Sequence, residues 1–324
     1  MSTTTLDKPK ILTQIKAVDW SDYVVYIGFA LVFLYFAVTQ TQYFLNSTNL
    51  LNIVIQAAPI TIMAIGMVFV LSTGEIDLSI GSTVALSALT TAVVLQGTGQ
   101  FWIGALAGLA VGVVVGLVNG FFITVVRLPS FLVTLATMGL IAGLARQLTD
   151  LQSVPVTDKA FVWLFGGGDF LGLPIMLWWT AVAVLVGWHL LRQRRYGAHV
   201  LAVGNSASAA RVSGIKVNRV RLMVFVGSGM TAALAGLLYA GRLHGARYTL
   251  GETDLMTVIA AAIVGGTSMF GGKGTVIGAL IGALLMSMIN NGLILAGLNV
   301  SQQMIVRGLI ILVAVSFSLR GKKS

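Results

Sequence analysis

The 324-residue chain contains no cysteine, so disulfide frameworks, thiol nucleophiles and cysteine-based metal sites are excluded. Charge is nearly as scarce: Asp, Glu, Lys and Arg make up 9% of the residues, where soluble domains carry about 25%. Only ten residues are acidic. The three histidines, His189, His199 and His244, are too scattered to suggest a metal site. Neither H-E-x-x-H nor G-x-S-x-G occurs, so the sequence shows no catalytic residues and calls for no cofactor. Gly271-Gly272-Lys273-Gly274 has the outline of a phosphate-binding loop. Thr267 stands where that motif needs its first glycine, however, and Gly274 follows the lysine, so nucleotide binding is rejected.

What is present is apolar. Hydrophobic residues make up 57% of the chain, with 38 glycines among the remainder. Runs of about 20 apolar residues follow one another and read as membrane spans. Without strand-like alternation, backbone pairing in lipid requires helices, and small residues let those helices approach closely. The spans are expected at roughly 23–40, 52–72 (with a kink at Pro59), 80–96, 102–126, 131–146, 175–191, 222–241, 254–266 and 275–296, with a tenth ending near Leu319. The first run is long for a signal peptide and lacks a cleavage site, so it reads as a retained span. The fold class is therefore an all-α membrane protein of about ten transmembrane helices. Residues 1–22 form a polar N-terminal segment, 23–319 one transmembrane domain and 320–324 a basic tail.

Basic residues decide the orientation. Lys8, Lys10 and Lys16, Arg127, the 192–221 loop, Lys273 and the terminal cluster fall on one side of an even span count. Arg146, Lys159, Arg242 and Arg247 fall on the other. The excess predicts that both termini are cytoplasmic. It also accounts for the net charge of +10 through loops facing membrane lipid rather than through nucleic acid.

Four of the ten acids belong to a repeated pentapeptide, G-E-x-D-L, at Gly74–Leu78 and Gly251–Leu255. Each copy precedes an apolar segment. A second pair follows in the same order, Ile103-Gly104-Ala105-Leu106-Ala107-Gly108 and Ile277-Gly278-Ala279-Leu280-Ile281-Gly282. Five spans per half would give halves of roughly 23–174 and 175–319 with opposite topology, an arrangement that places substrate at the repeat interface. Glu75, Asp77, Ser79, Glu252 and Asp254 are thus candidates for the translocation pathway; helix capping explains the acids' placement as well, and both readings stay open. Asn119, Asn290 and Asn291 either bond between helices, the simpler reading, or meet a polyhydroxylated ligand. Arg307, near the start of the last span, is expected to snorkel. Asn205–Gly214 can form a short cytoplasmic helix ended by Gly214, as a docking element or as an ordinary loop.

Several stretches together carry a resemblance. They are G-E-I-D-L-S-I-G-S (74–82), L-P-S-F-L-V-T-L-A-T-M-G-L (128–140), R-Y-G-A-H-V-L-A-V-G-N (195–205), A-A-R-V-S-G-I (209–215), V-G-G-T-S-M-F-G-G-K-G (264–274) and N-N-G-L (290–293). In this order they resemble the inner-membrane permeases of binding-protein-dependent ABC importers, in the ribose/xylose/arabinose/galactoside branch. That resemblance implies the ABC importer permease fold in a bacterial inner membrane and transport of a pentose or hexose. It implies three partners: a second permease subunit (identical or a close paralogue), a cytoplasmic ATP-binding subunit and a periplasmic sugar-binding protein. It also implies a coupling element at 205–214, where Asn205, Ala209, Ala210, Arg211 and Gly214 match and Ala207 stands where many relatives carry glutamate. A proton-coupled transporter using the four motif acids, and a permease for an amino acid, nucleoside or polyol, are the alternatives.

Overall fold

The computed structural model describes residues 24–320, without the side chains of Val24, Arg307, Ile311 and 313–320. The expectations for the N-terminal segment, the basic tail and the Arg307 side chain lie outside the described residues.

Helices dominate. In chain order they are α1 (Val24–Thr39), α2 (Thr41–Phe44), α3 (Ser47–Ser72), α4 (Ile80–Thr98), α5 (Phe101–Thr124) and α6 (Ser130–Leu148). They continue with α7 (Lys159–Val162), α8 (Ile175–Trp188), α9 (Arg195–Asn205), α10 (Ala207–Val212), α11 (Val217–Arg242), α12 (Asp254–Val264), α13 (Val276–Leu295) and α14 (Val300–Arg320). Among the described residues seven helices are long and apolar enough to cross a membrane. α12 is the departure from a full-length span. Its 11 residues rise only about 16 Å, half of a 30 Å hydrocarbon core.

Local chemistry sets the boundaries. α3 starts at Ser47, earlier than expected, because the Asn46 side chain accepts from Thr48 N at 2.9 Å. The helix then runs through Pro59 to Ser72. Thr275 Oγ1 caps α13 by accepting from Gly278 N. The 150–174 segment, expected as a polar loop, holds the strand β1 (Val154–Pro155), which pairs antiparallel with β4 (Gly245–Ala246), and a hairpin of β2 (Asp169–Phe170) with β3 (Leu173–Pro174).

The core is formed by α3, α4, α11 and α13, each mostly buried, while α5, α6 and α8 turn more of their surface outward. Leu106, Val114, Leu140 and Leu185 are exposed, an apolar girdle suited to lipid. α11 packs along α3, α4 and α5, and α13 packs along α3 and α12. The glycines of the two I-G-A-L segments do equivalent jobs. A Cβ on Gly104 would crowd the Thr91 carbonyl of α4 and one on Gly108 would strike the Thr91 hydroxyl, while one on Gly278 or Gly282 would strike the Gly265 and Ala261 carbonyls at and just beyond the end of α12. Small residues therefore permit both crossings.

Candidate functional site

The Thr73–Ser79 connector between α3 and α4 is buried along most of its length. Its backbone polar groups are met by side chains of α6: Ile76 N donates to Ser130 Oγ at 3.2 Å, and Thr134 Oγ1 donates to Ile76 O at 3.2 Å. Asp77, 2% exposed, is the centre of a polar network. Its Oδ1 accepts from Ser79 N at 2.9 Å and Ser79 Oγ at 2.6 Å; its Oδ2 accepts from Ser228 Oγ at 2.7 Å. Asn119 Nδ2 donates to Ser79 Oγ at 2.9 Å, and Thr137 Oγ1 donates to Asn119 Oδ1 at 2.8 Å. A buried carboxylate is tolerable only with such a set of donors. One network thereby ties the start of α4 to α5, α6 and α11.

Glu75 points elsewhere. Arg221 Nε lies 2.9 Å from its Oε1, an ion pair by distance although the N–H is not aligned for a hydrogen bond. The pair borders a cleft of about 870 Å³ at the end of the bundle where α10 lies.

The second motif packs against the start of α4, just past the first motif. A Cβ built on Gly81 would sit 2.6 Å from the Gly251 carbonyl oxygen, and one built on Gly251 would sit 2.6 Å from the Gly81 carbonyl oxygen. Gly251 also adopts φ +81°, so glycine is required there twice over. α4 and α12 therefore begin against one another, each entered through its own copy of the motif.

Beside the second copy lies a cavity of about 210 Å³. Its polar lining is Gln56, Tyr239, Arg242, Asp254, Thr257, Ser287 and Asn290, with Ile60 and Met286 among the apolar lining. Tyr239 OH donates to Asp254 Oδ2 at 2.7 Å. Ser287 Oγ is buried with no hydrogen-bond partner. Ligand pockets commonly measure about 300–1,000 Å³, and this space is smaller. Among the described residues no three His, Asp or Glu side chains gather closely enough to hold a metal ion.

The structure separates the remaining candidates. Glu252 pairs with Arg146 at 2.9 Å, both substantially exposed, and the Arg146 guanidinium lies 5.5 Å from the Tyr248 ring centroid. Asn291 forms a reciprocal amide pair with Asn49, at 2.8 and 3.1 Å, joining α13 to α3. Asn290, the adjacent residue, lines the cavity instead. Asp77, Ser79 and Asn119 come together in the network; Asp254 and Asn290 come together in the cavity. Sequence reading missed Ser228, Thr137, Tyr239, Gln56 and Ser287, since isolated polar residues on apolar helices carry no spacing signal.

The 205–214 stretch folds as α10, capped by Ser206 Oγ accepting from Ala209 N at 3.3 Å and ended by Gly214 at φ +82°. Asn205 closes α9. Ala210 is buried, while Ala209 and Arg211 face outward. The end of α9 presses on the end of α3: a Cβ on Gly204 would strike the Ser72 carbonyl and the Gly272 amide, and Gly272 N donates to Ser72 O at 3.0 Å. Ser72 directly precedes the connector that holds Glu75 and Asp77, so the end of α9, which leads into α10, rests on the root of that connector.

Comparison with known proteins agrees with this architecture. Residues 49–315 match the family described as branched-chain amino acid transport system/permease component. The ribose import permease RbsC of Escherichia coli is 38% identical over 281 residues, covering 86% of this chain and 87% of the relative. RbsC of Bacillus subtilis is 38% identical over 275 residues, 84% and 85%. The L-arabinose transport system permease AraH of Escherichia coli is 34% identical over 305 residues, 94% and 92%. No solved structure matches the chain at comparable stringency. A match over most of the chain, on a multi-pass helical bundle, places it in that family: the chain is a transport permease of the branched-chain amino acid transport system/permease component family.

Proposed function

We propose that the chain is the membrane-spanning subunit of an ATP-driven importer for a monosaccharide, a pentose or a hexose. The relatives named for ribose and L-arabinose support the substrate class, and a small cavity walled by Asp254, Ser287 and Asn290 is the polar space within the bundle that we assign to the pathway. The chain carries no catalysis of its own. A cytoplasmic ATP-binding subunit hydrolyses ATP, a periplasmic binding protein delivers the sugar, and a second permease subunit completes the pathway.

The observation that carries the mechanism is the stacking of α9 on Ser72, next to the Glu75–Asp77 connector. Movement of α10 by the ATP-binding subunit would pull on that root. The Asp77 network would transmit the shift to α4, α5, α6 and α11 as one body. The contact of Gly81 with Gly251 would be the point at which that body bears on the start of α12. In this scheme 23–174 and 175–319 are the halves, the 192–221 loop and both termini are cytoplasmic, and the β1–β4 face is periplasmic.

The test is uptake of labelled pentoses and hexoses by membrane vesicles that hold the complete transporter and are loaded with ATP. Uptake should persist when an uncoupler removes the proton gradient while ATP is held constant. Collapse of uptake under those conditions would instead identify a proton-coupled transporter.

A further inference from the structure

The cleft of about 870 Å³ beside Glu75 is lined by Arg127, Arg211, Lys216 and Arg221. These four cations face one carboxylate. Glu75 already pairs with Arg221, and among the described residues no carboxylate lies within 4 Å of Arg127, Arg211 or Lys216. The three come from separate segments: the α5–α6 connector, α10, and the residue before α11. Like charges gathered in one concave space repel, and the field focuses there.

Arg127 adds a second observation. It holds φ +66°, a left-handed backbone that is strained for a non-glycine residue. Strain of this kind gathers where a side chain must be aimed. Nearby, Asn218 Nδ2 donates to Thr124 O at 3.1 Å, pinning the start of α11 to the end of α5, so the walls of the cleft are braced.

We infer that this cleft binds a phosphate group, carried either by a soluble phosphate ester or by an anionic lipid headgroup. A neutral sugar has no use for three unpaired cations. A phosphate offers a multiply charged, tetrahedral set of acceptors that arginine forks match in pairs, with lysine as a point charge. Seated there, it bridges the α5–α6 connector to α10 and the start of α11. The site is separate from the 210 Å³ cavity, and its binding can be measured without any transport.

The experiment uses the full chain purified in neutral detergent. Inorganic phosphate, titrated against chloride at equal ionic strength, should raise the unfolding temperature to a plateau. The Arg127→Gln/Lys216→Gln variant should weaken the apparent affinity at least tenfold. Arg127→Gly relieves the backbone strain, so it should hold or raise stability while still losing affinity; this keeps the test independent of a folding defect. In the second arm the chain is placed in nanodiscs of phosphatidylglycerol or phosphatidylcholine and then extracted. Retained phosphatidylglycerol that is lost in the variants assigns the lipid source, and a phosphate response without retained lipid assigns the soluble ester. If neither probe binds, or both bind the variants as well as the parent chain, the inference is overturned. Variants that keep both probes but no longer co-purify with the ATP-binding subunit would show that the cations serve a protein contact, which overturns it as well.

Discussion

Replacing Asp77 tests whether the buried network holds the bundle together. Asp77→Ala removes the acceptor of three donors: the Ser79 amide, the Ser79 hydroxyl and the Ser228 hydroxyl. Each buried donor left unpaired costs about 1–3 kcal/mol. The hydroxyls can rotate but the amide cannot, so the total should be about 3–5 kcal/mol. Asp77→Asn keeps the shape. Its carbonyl oxygen can still accept from Ser79 N, and its NH₂ can face a Ser228 hydroxyl turned to accept, leaving a loss of about 1–2 kcal/mol. At roughly 2–4 °C per kcal/mol for a domain of this scale, Asp77→Ala should lower the unfolding temperature by on the order of 10 °C and Asp77→Asn by a few degrees. Thermal unfolding in detergent reads both. A double variant with Ser228→Ala should cost Asp77→Ala almost nothing further, because the partner is already lost. Equal losses for Ala and Asn, or an alanine variant as stable as the parent, would refute the reasoning.

Other substitutions probe the close approaches and the site. Gly81→Ala sets a Cβ 2.6 Å from the Gly251 carbonyl; it should destabilise by about 1–3 kcal/mol and depress uptake. Gly139→Ala, with nothing within 4 Å, should stabilise by about 0.5–1 kcal/mol, so similar unfolding shifts for the two would contradict the contact. Gly214→Val, at φ +82°, should leave the protein inserted but reduce sugar-stimulated ATP hydrolysis at least tenfold; unchanged stimulation would remove α10 from the coupling path. Tyr239→Phe deletes the donor to Asp254 and should lower uptake several-fold with little change in unfolding temperature, as measured in the same vesicles.

The outline of the bundle was legible because hydrophobic length and glycine spacing are local signals. The G-E-x-D-L repeat marked two helix starts, and the structure sets Gly251 of the second copy against Gly81, which follows the first. Gly214 announced the end of α10 because a left-handed cap needs its residue type. The partners of Asp77 were not legible. Ser228 lies 151 residues away, on a helix whose hydropathy does not distinguish a hydroxyl aimed inward from one bonding its own backbone. Asn290 and Asn291 looked interchangeable in the sequence. The helical turn points one into the cavity and the other at Asn49, a distinction only three dimensions supply. α12 was legible as a short, glycine-ended span at 254–266, and the helix ends at Val264 with Gly265 as its cap.

Reconstitution of this chain in proteoliposomes, with and without its ATP-binding subunit, tests the central claim most directly. With the subunit, the binding protein and enclosed ATP, labelled sugar should accumulate on the ATP-bearing side against its gradient. With the permease alone, it should not accumulate. Accumulation by the permease without the ATP-binding subunit would contradict the account.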